Sequence, residues 1–89
     1  ERLEKRMFLN GVNKILTITC KTSSPDLKVI RGILEKRNVY IVSVSFESLY
    51  EQNTSIITYK VNVKAQSSYT SLFEDIRTLG YVSQIRLLA

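Results

Sequence analysis

The residues able to do covalent chemistry are few. Among its 89 residues the chain has no histidine and one cysteine, Cys20. A Cys–His pair, a His-based triad and a His-containing zinc site therefore drop out. Cys20 ends an alternation in which Leu16, Ile18 and Cys20 are separated by Thr17 and Thr19. A small buried apolar side chain is expected there, not a thiolate. With no second cysteine it closes no internal bridge, which fits a reducing compartment. The acids Asp26, Glu47, Glu51, Glu74 and Asp75 belong to different segments. A magnesium site needs several oxygen ligands converging on one point. Adjacent Glu74 and Asp75 are explained by a solvated helix face. The chain is expected to carry no catalytic residue, no metal site and no cofactor.

What remains is polar recognition, and its natural place is "TSSPD", residues 22–26. This loop precedes a helical stripe, Leu27, Ile30, Ile33 and Leu34. Ser24 is expected to cap that helix, Pro25 to take its first position, and Asp26 to suit its positive end. Ser23, Ser24, Asp26 and the amides of the first turn could hold a polar ligand. Plain capping explains the same residues. Asn38 is placed to end the helix, because it tolerates the left-handed conformation. Asn38 and Tyr40 join the candidate ligand set at the start of the next strand.

The elements that must position these residues follow from hydrophobic period. "NKILTITCK" reads as a half-buried strand. From Val39 the period changes to two, with Val42, Val44 and Phe46 on one face and Ile41, Ser43, Ser45 and Glu47 on the other. "YEQNT" carries turn signals, and "SIITYKVNVKA" is a second long strand with Ile57, Tyr59, Val61 and Val63 inward. The two form a hairpin. Ser67 or Ser68 caps a second helix with the stripe Tyr69, Leu72, Phe73, Ile76 and Leu79, Gly80 ends it, and "YVSQIRLL" is the last strand. Residues 1–11 read as a linker or short amphipathic helix, with Leu3, Met7 and Phe8 among Glu, Lys and Arg and "NG" as the stop. It is too short to be stable alone, so it docks on the domain or continues something upstream.

Strand, helix, strand, strand, helix, strand specifies an α+β, ferredoxin-like βαββαβ domain over residues 12–89. It has a four-stranded antiparallel sheet with both helices on one face. The other face is expected to be rich in Thr, Ser, Lys and Asn. Many functions share this architecture, so the choice between them rests on sites. The outward positions Thr17, Thr19, Thr58, Lys60 and Asn62 offer no aromatic platform for bases. The net charge of +5 includes Lys28, Arg31, Lys36 and Arg37 on one helix, which reads as a solvated face and not a nucleic-acid footprint. Paired cysteines for a heavy-metal carrier are absent. No glycine lies between Gly11 and Gly32 to build a phosphate loop. No run approaches the ~18 apolar residues of a membrane span.

"SPDLKVIRGILEKRNVYIVSVSFES" resembles the first half of an ACT domain, with a loop proline, a helix of this apolar spacing and an "IVSV" strand. ACT domains that bind amino acids usually have glycine after the loop proline, where this chain has Asp26. The segment "ERLEKRM" entering such a domain resembles the C-terminal part of the MgtC/SapB family of bacterial inner-membrane proteins, in which a cytosolic ACT-like tail follows a membrane region. The chain begins with Glu1 and reads as a fragment of such a protein. Arg2, Lys5 and Arg6 just after a last span would suit the positive-inside bias. The resemblance implies a regulatory domain on the cytoplasmic side of the inner membrane, linked to magnesium transport or low-magnesium adaptation. It implies self-association as a homodimer or binding of a protein partner, with a small-molecule effector as a further option and no nucleic acid. An amino-acid-sensing ACT domain of a soluble enzyme or transcription regulator is the alternative.

Overall fold

The computed structural model describes residues 11–64 and 68–89. The chain forms β1 (Val12–Cys20), α1 (Leu27–Lys36), β2 (Tyr40–Leu49), β3 (Thr54–Val63), α2 (Tyr69–Arg77) and β4 (Val82–Leu88). A 3-10 turn, Tyr50–Gln52, joins β2 to β3. The strands make one antiparallel sheet in the order β2-β3-β1-β4. This is the ferredoxin-like arrangement that the pattern predicts. The reading of residues 1–11 lies outside the described residues except for Gly11.

The core follows from strand parity. Leu16, Ile18 and Cys20 of β1 and Ile57, Tyr59, Val61 and Val63 of β3 are all buried. They share one sheet face because Leu16 pairs with Tyr59 and Ile18 with Ile57. Ile30 and Leu34 of α1 and Leu72 and Ile76 of α2 complete the same buried cluster. Both helices therefore lie on one side. Each fully buried side chain of this size contributes about 1.5–3 kcal/mol relative to exposure.

Two local expectations are corrected. Asp26, not Ser24, is the N-cap of α1: its backbone is extended, and its carboxylate accepts from the Val29 amide at 3.2 Å. Pro25 thus precedes the cap and is not the first helical residue. In β2 the register slips between Ile41 and Ser43. Val42 is the extra residue of a β-bulge, which resets the alternation. Ile41, paired with Val61, packs against the core, whereas Val42 is exposed. A second irregularity interrupts β4 between Val82 and Gln84.

The remaining punctuation is as expected. Ser68 caps α2, its hydroxyl accepting from the Ser71 amide. Asn38 and Asn53 have left-handed φ of 60° and 47°, and Gly80 has 85°. The face away from the helices carries Thr17, Thr58 and Lys60, with apolar Ile15 and Leu88 among them.

Candidate functional site

The loop between β1 and α1 is held from four directions. The Ser55 hydroxyl on β3 donates to the Thr22 carbonyl at 2.7 Å, and the Ser48 hydroxyl on β2 donates to the Ser23 carbonyl at 3.0 Å. The Ser23 amide donates to Asn53 Oδ1 in the β2–β3 turn at 3.2 Å. The Asp26 amide donates to the Tyr81 hydroxyl, ahead of β4, at 3.1 Å. Within the loop the Ser24 amide donates to Thr22 Oγ1 at 3.2 Å. The amides of Ser23, Ser24, Asp26 and Val29 are thus engaged internally. The loop is a preformed ledge, and a ligand there would meet the side chains of Ser24 and Asp26, both exposed.

Within one chain the structure does not bring the five candidate residues together. Ser23, Ser24 and Asp26 stand at the start of α1, and Asn38 and Tyr40 lie beyond its end. Ten helical residues separate the two groups, about 15 Å along the axis. Asn38 donates its amide to the Glu35 carbonyl at 3.0 Å, the helix-terminating role expected of it. Tyr40 lies opposite Asn62. Asn53 and Tyr81 went unread as partners of the loop. Asn53 had a turn signal, but nothing in the sequence marks Tyr81.

Surface hollows lie among the described residues, and three of them bear on the candidate positions. One of about 380 Å³ between α2 and β4 is lined by Phe73, Arg77 and Ile85 among others. One of about 320 Å³ holds Asn13, Ile15, Val42 and Lys60. One of about 240 Å³ between the end of α1 and the start of α2 includes Arg37, Asn38 and Ser68. Ser23, Ser24, Asp26 and Tyr40 line none of the three. Among the described residues no three His, Cys, Asp or Glu side chains converge on a metal-sized space. Burial pushes the Cys20 thiol above its ordinary value, with a hydrogen bond to Ser55 acting in the opposite sense. That is the reverse of an activated nucleophile.

Among the described residues β2 is an outer strand of the sheet, with β3 as its one neighbour. Val44 and Phe46 pair with Tyr59 and Ile57, so they face the helix side. They nevertheless remain 47% and 45% exposed, because they lie on the outermost strand.

No family model and no curated relative matches the sequence. Solved structures do match. The ACT domain of GTP pyrophosphokinase from Chlorobium tepidum is similar with a TM-score of 0.69 and 15% identity, over 88% of this chain and 99% of that one. The C-terminal domain of the MgtC protein from Mycobacterium tuberculosis is similar with a TM-score of 0.69 and 8% identity, over 90% and 88%. A formyltetrahydrofolate deformylase from Pseudomonas putida KT2440 gives a TM-score of 0.73 at 12% identity, over 88% of this chain. This chain spans 29% of that enzyme's length. The fold is ACT-like and resembles the MgtC C-terminal domain. Among the described residues no helix is long and apolar enough to cross a membrane.

Proposed function

We propose that this chain is a non-catalytic regulatory or interaction domain of an MgtC/SapB-type membrane protein, on the cytoplasmic side of the bacterial inner membrane, and that it acts by homodimerisation. Its link to magnesium transport or low-magnesium adaptation rests on likeness to the MgtC C-terminal domain. The observation that carries the dimer is the β2 edge, an outer strand with no neighbour on its far side among the described residues, where two half-exposed apolar side chains stand. Bulges interrupt both edge strands, yet beyond Val42 the stretch Ser43–Leu49 is regular. A two-fold axis through Ser45 would set Val44 of one copy opposite Phe46 of the other. Such aromatic–β-branched pairs contribute roughly 0.2–1 kcal/mol each beyond backbone pairing. The same axis would carry Asn38 and Tyr40 of one copy toward the Ser23–Asp26 ledge of its partner.

Sedimentation of the chain tests this. A dimer that Val44→Lys or Phe46→Glu converts to folded monomer supports the reading. A wild-type chain that stays monomeric to millimolar concentration overturns it. Apolar spans encoded directly upstream of Glu1 would support the membrane context. The alternative, an amino-acid-sensing domain of a soluble enzyme or regulator, would need effector binding at the ledge. Calorimetric titration with amino acids, on wild type and Asp26→Ala, separates the two.

A further inference from the structure

The sheet face away from the helices changes character along its length. Near the start of β1, Ile15 pairs with Lys60 on one side and Leu88 on the other, so the three share that face. Arg86 shares it through its pairing with Thr17, and Tyr40 through its pairing with Asn62. Val42, extruded by the bulge, borders the hollow of about 320 Å³ together with Ile15 and Lys60. Tyr40, Val42 and Leu88 are 51%, 46% and 48% exposed. Exposed Lys64 follows β3 at the same end of the sheet. The outward acid of the described strands, Glu47, sits toward the other end, opposite Ile56. Among the described residues Lys60, Lys64 and Arg86 have no ion-pair partner.

Exposed aliphatic groups ringed by unpaired cations, with an aromatic ring beside them, suit the surface of an anionic bilayer. There apolar burial and attraction to headgroup phosphates act together. We propose that this end of the outer sheet face docks on an anionic lipid surface. Ile15, Val42 and Leu88 enter the headgroup region, and Lys60, Lys64 and Arg86 meet lipid phosphates. The inference rests on reading the chain as a domain of a membrane protein. The point of attachment agrees with it. A Cβ on Gly11 would collide with the Asn62 side chain of this same face, so the domain is joined there to what precedes it. Antiparallel pairing of two β2 edges keeps both outer faces on one side of the doubled sheet, so a dimer presents two such surfaces to one bilayer. A nucleic acid is the weaker occupant, because aliphatic Ile15, Val42 and Leu88 offer bases no stacking platform. A second copy stacked on this face is weaker too, because it would crowd the cations of both copies together.

Vesicle binding of the 1–89 chain is the test. The chain has no tryptophan. Tyr40→Trp therefore reports from the face, and Tyr50→Trp, in the turn between β2 and β3, reports from the opposite end. Vesicles of equal phosphatidylglycerol and phosphatidylcholine, in about 0.1 M salt, should shift the first emission to the blue and leave the second unchanged. Pure phosphatidylcholine, or molar salt, should abolish the shift. Lys60→Glu or Arg86→Glu should each weaken binding at least about fivefold, the effect of one interfacial cation. Both residues are exposed, so the fold tolerates either change. Lys28→Glu, the same charge change on exposed α1, should weaken binding less than about twofold, because the sheet and solvent separate it from the lipid. No shift with anionic vesicles, an equal shift from both tryptophans, or Lys28→Glu as damaging as Lys60→Glu would each overturn the proposal. An equal shift with duplex RNA would assign the face to nucleic acid and overturn it as well. The sequence upstream of Glu1 decides the membrane-protein reading separately. Encoded spans above a face that ignores anionic vesicles would sink the docking alone.

Discussion

Arg37 Nε donates to Asp75 Oδ2 at 2.6 Å, tying the C-cap of α1 to the last turn of α2. The hydrogen bond from Arg37 holds the Asp75 carboxyl below its usual range. A carboxyl depressed in the folded state stabilises fully above its unfolded pKa and loses that contribution as pH falls through the folded value. Asp75→Asn should therefore lower the melting temperature slightly at pH 7. The gap to wild type should close as pH falls below about 4. Molar salt should narrow it as well, because both groups are solvated. Thermal melts across pH and salt check this, and a gap that ignores both would assign the effect to another cause.

Gly11→Ala should destabilise through collision, not through loss of backbone freedom. The new methyl would displace the Asn62 amide, which donates to Asn13 Oδ1 at 3.0 Å and is nearly buried. A cost of about 1–3 kcal/mol is expected for overpacking of this kind. In an Asn62→Ala background most of that cost should vanish, a coupling readable from urea unfolding of the four proteins in the cycle.

Alkaline pH should weaken the fold. Burial pushes up both the Cys20 thiol and the Tyr59 phenol. Raised folded-state values mean that stability is complete below the unfolded pKa and declines as pH climbs past it. Loss should begin above about pH 8.5 for the thiol and add a second component above about pH 10. Each group that ionises only on unfolding contributes a slope of about 1.4 kcal/mol per pH unit. Urea midpoints from pH 7 to 10.5 measure it. A disulfide reagent should leave Cys20 unmodified in the native protein and modify it in urea.

Ser55→Ala removes a fully buried hydroxyl that holds the β1–α1 loop through the Thr22 carbonyl. A loss of about 1 kcal/mol is expected, the size of one hydrogen bond. The sharper readout is local. Amide exchange at Ser23 and Asp26 should speed up, while that of Ile57 should rise only with the global change. Equal acceleration everywhere would mean that the hydroxyl does not fasten the loop.

Period alone located the strands and helices, since Leu16, Ile18 and Cys20, or Ile30 and Leu34, announce a buried side whatever they pack on. The same rule could not show the bulge at Val42, which is a property of the β2–β3 pairing and leaves both neighbours with strand-like types. Nor could it show that Val44 and Phe46 face inward yet stay open. Alternation reports which way a side chain points, and strand order decides whether anything lies over it. The candidate ledge was legible as a capped loop at Ser23, Ser24 and Asp26. Its anchors were not, because Asn53 and Tyr81 lie 30 and 55 residues along the chain from the atoms they hold. Asp26 displaced Ser24 as cap because it sits next to the first helical residue, where its carboxylate reaches the Val29 amide.

The pairing of Ile15 with Leu88 places the first and last strands side by side at the centre and margin of the sheet. Residues 11 and 89 accordingly emerge from the same pole. A few glycines would suffice to weld them, and the Tyr50–Asn53 turn could then be cut to create new ends. If Asn53 is kept on the β3 side of the cut, so that it still accepts from the Ser23 amide, the rewired molecule should retain its sheet order.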